Sequence, residues 1–76
     1  MITAGIDCGA KNTKTVIMQD GKIIGKGMVL TGFDQARAAE DSLALAVRHA
    51  GITHKEIQRI FGTGSGKDAI AAAEDD

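Results

Sequence analysis

The stretch Ile2-Thr3-Ala4-Gly5-Ile6-Asp7-Cys8-Gly9-Ala10-Lys11-Asn12-Thr13-Lys14-Thr15-Val16-Ile17-Met18-Gln19-Asp20-Gly21 decides how this chain folds. Ile2 to Asp7 is small and apolar and ends on Asp-Cys-Gly, the pattern of a short buried strand. Cys8 to Asn12 carries turn chemistry, and the β-branched run Thr13 to Gln19 predicts a second strand. Asp20-Gly21 follows at once. Between two strand-like runs this dipeptide predicts a two-residue hairpin, because a type I′ turn needs positive φ at both central positions. Lys22 to Thr31 is then a third strand, its interior weakened by Gly25 and Gly27.

Beyond Gly32 the period changes. Asp34 is placed to cap a helix running to Ala50, with Ala36, Ala39, Leu43, Val47 and Ala50 on one face and Gly51 as its left-handed terminator. Thr53 and Glu56 have capping-box spacing and predict a short helical turn. Gln58 to Gly62 reads as a fourth strand, Thr63 to Gly66 as a glycine-rich turn, and Lys67 to Glu74 as an alanine-rich helix. The order β-β-β-α-β-α implies an α/β fold with a mixed sheet: three antiparallel strands, then a right-handed helical crossover to a strand parallel to the first. The last helix has one large apolar anchor, Ile70, and ends in Glu74-Asp75-Asp76, an unfavourable charge for a helix C-terminus. We therefore expect residues 1–76 to be the N-terminal part of a longer domain.

Composition narrows the function classes. The chain has 76 residues, 9 basic and 10 acidic, with a formal net charge of −1. There is no basic stripe, no Trp or Tyr, and only Phe33 and Phe61 as aromatics, which argues against nucleic-acid binding. The N-terminus lacks the features of a signal peptide, and no apolar run approaches the roughly 20 residues of a membrane span. A cytoplasmic location is the expectation. The single cysteine, Cys8, excludes an intramolecular disulfide and a multi-cysteine metal site. It reads as a small buried hydrophobe. His49, near a helix end, and His54, in a loop, read as surface residues.

Two stretches carry chemistry. Asp7-Cys8-Gly9-Ala10-Lys11-Asn12-Thr13-Lys14 suits a phosphate. Gly9 permits close backbone approach, and successive N–H groups in a tight turn make an anion-binding concavity. Thr13 adds a hydroxyl and Lys11 and Lys14 add charge, while Asp7 at a strand end is placed to hold Mg²⁺ through water. The same residues would also serve as an ordinary hairpin connection with solvated lysines. The second stretch, Gly62-Thr63-Gly64-Ser65-Gly66-Lys67, is not a Walker A loop, because Phe61 stands where glycine is required and Asp68 where Ser or Thr is required.

The first stretch resembles the Asp-Ile-Gly-Ser-Thr-Thr-Thr-Lys loop of the ATPases that activate 2-hydroxyacyl-CoA dehydratases. The ATP-binding subunits of benzoyl-CoA reductase are related to them, and both lie within the actin/Hsp70/sugar-kinase superfamily. Asp7, Gly9, Thr13 and Lys14 match; Ala10, Lys11 and Asn12 depart from it by replacing hydroxyl residues. The second stretch is similar to that family's Thr-Gly-Tyr-Gly-Arg element through Thr63, Gly64 and Gly66, with Lys67 in place of Arg and Ser65 in place of Tyr. The resemblance implies a ribonuclease-H-like half-domain that binds ATP and Mg²⁺. Asp7 would organise the metal, Gly9 through Thr13 would hold phosphates, and Lys14 and the Thr63–Lys67 turn would lie near the nucleotide. It further implies a dimeric, oxygen-sensitive parent of anaerobic metabolism with a [4Fe–4S] cluster between subunits, bound by cysteines absent here. That parent would pass electrons to a reductase or dehydratase subunit acting on acyl-CoA thioesters. Two other readings stay open: a sugar- or acetate-type kinase of the same superfamily, and a non-enzymatic assembly module that pairs through a sheet edge.

Overall fold

The computed structural model describes residues 1–63. They form β1 (Ile2–Cys8), β2 (Asn12–Gln19), β3 (Lys22–Leu30), α1 (Gln35–Ala50), a 3₁₀ turn (His54–Glu56) and β4 (Arg59–Thr63). The expected elements from Ile2 to Gly62 are all present, with ends shifted by a residue. The alanine-rich helix expected from Lys67 lies outside the described residues.

The local signals act as their chemistry dictates. Asp20 and Gly21 both have positive φ, 53° and 82°, so the β2–β3 turn takes the twist that a two-residue hairpin needs. The Asp34 carboxylate accepts the Arg37 N–H at 3.0 Å and starts α1. Gly51, at φ 72°, ends it by donating to the Val47 and Arg48 carbonyls. The Glu56 carboxylate accepts the Thr53 N–H at 2.7 Å, which anchors the 3₁₀ turn.

The strands make one mixed sheet in the order β3-β2-β1-β4, with β1 antiparallel to β2 and parallel to β4. The crossover through α1 brings the chain from one edge of the sheet to the other and covers one face. That face holds Ala4, Ile6, Cys8, Ile17 and Ile60, packed against Ala39, Leu43 and Ala46 of α1.

The helix is seated deeper, and rotated further, than its apolar pattern suggests. Its buried residues are Ala38, Ala39, Ser42, Leu43 and Ala46, while Ala36 is exposed. The reason lies in β3. Ile17 pairs with Gly25 but Met18 pairs with Ile23, so Ile24 is left over as a bulge. The extra residue turns Gly25 and Gly27 toward α1. A Cβ on Gly25 would lie 2.5 Å from the Ala46 carbonyl, and one on Gly27 would fall on the Ser42 carbonyl. The glycines are therefore the surface on which α1 rests, and the small residues Ser42 and Ala46 are what fits there. The exposed β3 edge is partly closed by His49, whose Nδ1 accepts the Lys26 N–H at 3.1 Å.

Gly27→Ala should destabilise the chain by about 1–3 kcal/mol, since backbone and helix must separate to admit the methyl group. Gly5→Ala, on the open face with nothing within 4 Å of the added atom, should be nearly neutral. Urea midpoints of the two variants check this, and equal losses would show that α1 does not rest on β3 as described.

Candidate phosphate site

Side chains alternate across a strand, so each strand divides its residues between the helix-covered face and the open one. On the open face the register sets Met28, Lys14, Asp7 and Thr63 in one row across all four strands. Asp7, Lys14 and Thr63 are exposed. Neither the Asp7 carboxylate nor the Lys14 ammonium has a hydrogen bond or ion pair among the described residues. The row lies at the carboxyl ends of the parallel strands β1 and β4, where open α/β sheets bind ligands.

The loop after β1 is short. The Gly9 N–H donates to the Asn12 carbonyl at 3.0 Å, closing the hairpin, and a Cβ at Gly9 would come within 2.9 Å of that oxygen. Ala10 and Lys11 form the exposed tip. No hydrogen bond among the described residues engages their N–H groups. Asn12 and Lys14 are also exposed, so Lys11 at the tip and Lys14 in β2 both place an ammonium near it.

Two expectations change. The Gly9 amide belongs to the hairpin and is not free to meet an anion. Thr13 is fully buried on the opposite face from Asp7, and its hydroxyl contacts the Cys8 sulfur at 3.5 Å and the Thr31 hydroxyl at 2.9 Å. It therefore cannot offer its hydroxyl to a ligand on the open face. Strand parity is the cause: Thr13 shares its face with Thr15 and Ile17, both also fully buried. Gly64, Gly66 and Lys67 lie outside the described residues, so only Thr63 of the second stretch takes its place beside Asp7.

One residue of the loop's surroundings escaped sequence reading. Thr31, just past β3, donates its N–H to the Lys11 carbonyl at 2.8 Å and its hydroxyl to the Gly9 carbonyl at 2.8 Å. The signal for it was the hairpin register, which the Ile24 bulge shifts by one residue.

Among the described residues, the groups suit Mg²⁺–phosphate: a carboxylate and an ammonium without a partner there, and uncommitted amides at the tip of a tight turn. They do not suit an iron–sulfur cluster. Cys8 is the one cysteine of the chain and is fully buried beneath the sheet. His54 lies in an apolar groove about 620 Å³ in volume along α1, with Leu43, Ala44 and Val47, away from the row described above. No helix of the described residues is long and apolar enough to cross a membrane.

Asp7→Asn and Lys14→Gln should leave the thermal midpoint nearly unchanged, because neither charge is engaged among the described residues. Thr13→Val, which strips a buried hydroxyl from its partners, should cost about 1 kcal/mol. Calorimetry of the three variants separates the residues that build the loop from those it displays.

No family model matches the chain. An uncharacterized protein of Methanocaldococcus jannaschii is 35% identical over 69 residues, which are 91% of this chain and 16% of that protein. Among solved structures, component A of the (R)-2-hydroxyglutaryl-CoA dehydratase of Acidaminococcus fermentans superposes with a TM-score of 0.88 at 25% identity, over 99% of this chain and 29% of that one. The activator of the 2-hydroxyisocaproyl-CoA dehydratase from Clostridium difficile, solved with bound ADPNP, gives 0.86 at 24% identity, over 99% of this chain and 28% of that one. The chain thus spans less than a third of the length of each of these three proteins. Its mixed sheet and crossover are those of the actin-like ATPase fold, as found in the 2-hydroxyacyl-CoA dehydratase activators that its two loops resemble.

Proposed function

We propose that this chain is the N-terminal part of an ATP-binding domain, and that the parent protein is an ATPase of the dehydratase-activator kind. The observation that carries the proposal is the row Lys14, Asp7, Thr63 on the open face, at the ends of two parallel strands and beside a tip with uncommitted amides. The structural neighbour with ADPNP bound supports a nucleotide as the ligand.

In this reading Asp7 holds Mg²⁺ through water, since Mg²⁺ favours one or two carboxylates together with phosphate oxygens. The amides of Ala10, Lys11 and Asn12 and the ammonium of Lys14 meet the terminal phosphates. Thr63, with Gly64, Gly66 and Lys67 after it, meets the nucleotide from β4. The parent couples hydrolysis to electron transfer toward an acyl-CoA dehydratase or reductase, as a dimer whose cluster is held by other segments. A sugar or acetate kinase would share the first loop, but it has no need of the Thr63–Lys67 element, and Thr63 standing beside Asp7 favours the activator.

Phosphoryl transfer needs donors on all sides of the phosphate in a site shielded from water. The open face supplies one side. The 76-residue chain should therefore bind Mg²⁺·ADPNP weakly and show no ATP turnover above an Asp7→Ala control. Titration followed by amide NMR should move the signals of Asp7, Ala10, Lys14 and Thr63, and Asp7→Ala or EDTA should abolish the Mg²⁺-dependent part. Shifts confined to other regions, or turnover independent of Asp7, would overturn the proposal.

A further inference from the structure

We infer that Thr31 is the positioning residue of the phosphate loop: it turns two peptide units of the tip so that their amides face the ligand. The inference rests on the phosphate reading above and assigns a role to a residue that no ligand would touch.

The geometry follows from the planarity of the peptide bond. In a trans peptide the carbonyl of one residue and the N–H of the next point in opposite directions, and the described residues contain no cis peptide. Thr31 holds two such carbonyls. Its hydroxyl donates to the Gly9 carbonyl at 2.8 Å. That hydroxyl also lies 2.9 Å from the hydroxyl of Thr13, on the helix-covered side of the sheet. With the Gly9 carbonyl drawn to that side, the Ala10 N–H must aim to the other, where Asp7 and Lys14 stand. The Thr31 N–H donates to the Lys11 carbonyl at 2.8 Å. The Asn12 N–H therefore aims away from β3, over the loop.

Thr31 is only 4% exposed, and its N–H and its hydroxyl are spent on this clasp and on Thr13. The loop would otherwise be poorly determined. Among the described residues its one internal tie is the Gly9 N–H to the Asn12 carbonyl, which by itself leaves the Gly9–Ala10 peptide free to rotate. A rotation of that unit would present a carbonyl oxygen to the phosphate in place of an N–H. Holding it from below fixes the polarity of the site without occupying it, as supporting hydrogen bonds do for ligating groups elsewhere.

The test compares Thr31→Val, Thr31→Ser and Thr15→Val with the wild-type chain. Thr31→Val keeps the shape and the N–H bond but loses the hydroxyl bond to Gly9, whereas Thr31→Ser keeps both. Thr15→Val removes an equally buried hydroxyl, one that bonds Ser42 at 2.7 Å in mid-sheet, and serves as the stability-matched control. The probe is inorganic pyrophosphate with Mg²⁺, read by the amide signals of Ala10 and Asn12. The expected result is about a tenfold weaker pyrophosphate affinity in Thr31→Val, the scale of one misdirected hydrogen bond. Thr31→Ser and Thr15→Val should bind as wild type. Equal affinity in wild type and Thr31→Val would overturn the inference. If the wild-type chain itself gives no response, the phosphate reading fails. The orientation claim is then judged alone: unchanged Ala10 and Asn12 amide temperature coefficients and exchange rates in Thr31→Val would overturn it too.

Discussion

The seat of α1 on Gly25 and Gly27 is the contact on which the rest of this structure depends. A helix can approach a sheet that closely only where the strand beneath has no side chains, and β3 presents two such positions in alternation. They face the helix because Ile24 bulges out of the β2–β3 ladder. Remove the extra residue and the register slips by one, which in a strand inverts every side chain. Lys26 and Met28 would then lie under the helix and the glycines in solvent. The same shift decides which residue of the third strand's end meets the first loop. With the bulge it is Thr31 that reaches Lys11, and a polar residue with both an N–H and a hydroxyl to give is brought under the tip.

The two faces of the sheet treat polar groups in opposite ways. Between the sheet and α1, Thr13, Thr15 and Thr31 are buried with Ser42 of the helix, and each hydroxyl has a partner. Burial requires this, since an unmatched hydroxyl in the interior costs about 1–3 kcal/mol. On the open face Asp7 and Lys14 are register neighbours, yet their charges are not joined. Solvent can satisfy them, so nothing in the fold demands that they be there. Groups held for the fold are saturated, and groups left unsaturated at the carboxyl ends of parallel strands are those with bonding capacity for a ligand.

Much of the architecture was legible because its signals are local. Asp20-Gly21, Asp34 and Gly51 each specify a backbone conformation by their own chemistry, and each adopts it. The bulge was not legible, since Ile23-Ile24 offers two equivalent residues and only the packing of α1 chooses between registers. Ser42 was passed over as a core residue for a related reason: a hydroxyl joins the interior only when a partner, here Thr15, waits across the interface. Thr13 is a different case. Its parity with Thr15 and Ile17 was open to view, and parity should have outweighed its membership of a phosphate-like string. A motif read as contiguous residues suggests one surface, but within a strand neighbours point to opposite sides. Asp7 and Lys14 belong to the open face, and Thr13 belongs to the core between them.

The string nevertheless makes physical sense once its residues are sorted by face. Asp7 and Lys14 would meet the ligand, Gly9 would make the turn tight enough to close at Asn12, and Thr13 would work from beneath through Thr31. Such a division suits a site for a highly charged ligand. Donors that must stay aimed while phosphates arrive and leave gain little from the ligand's own help in ordering them, because ordering at the moment of binding subtracts from affinity. A hydroxyl ladder on the dry side of the sheet can do that ordering in advance, in surroundings where its hydrogen bonds are strong and water does not compete. On the wet side the same bonds would be weaker and would stand in the ligand's way. The placement of Thr13 and Thr31 under the loop is thus the arrangement in which polar groups can orient a charged site without becoming part of it.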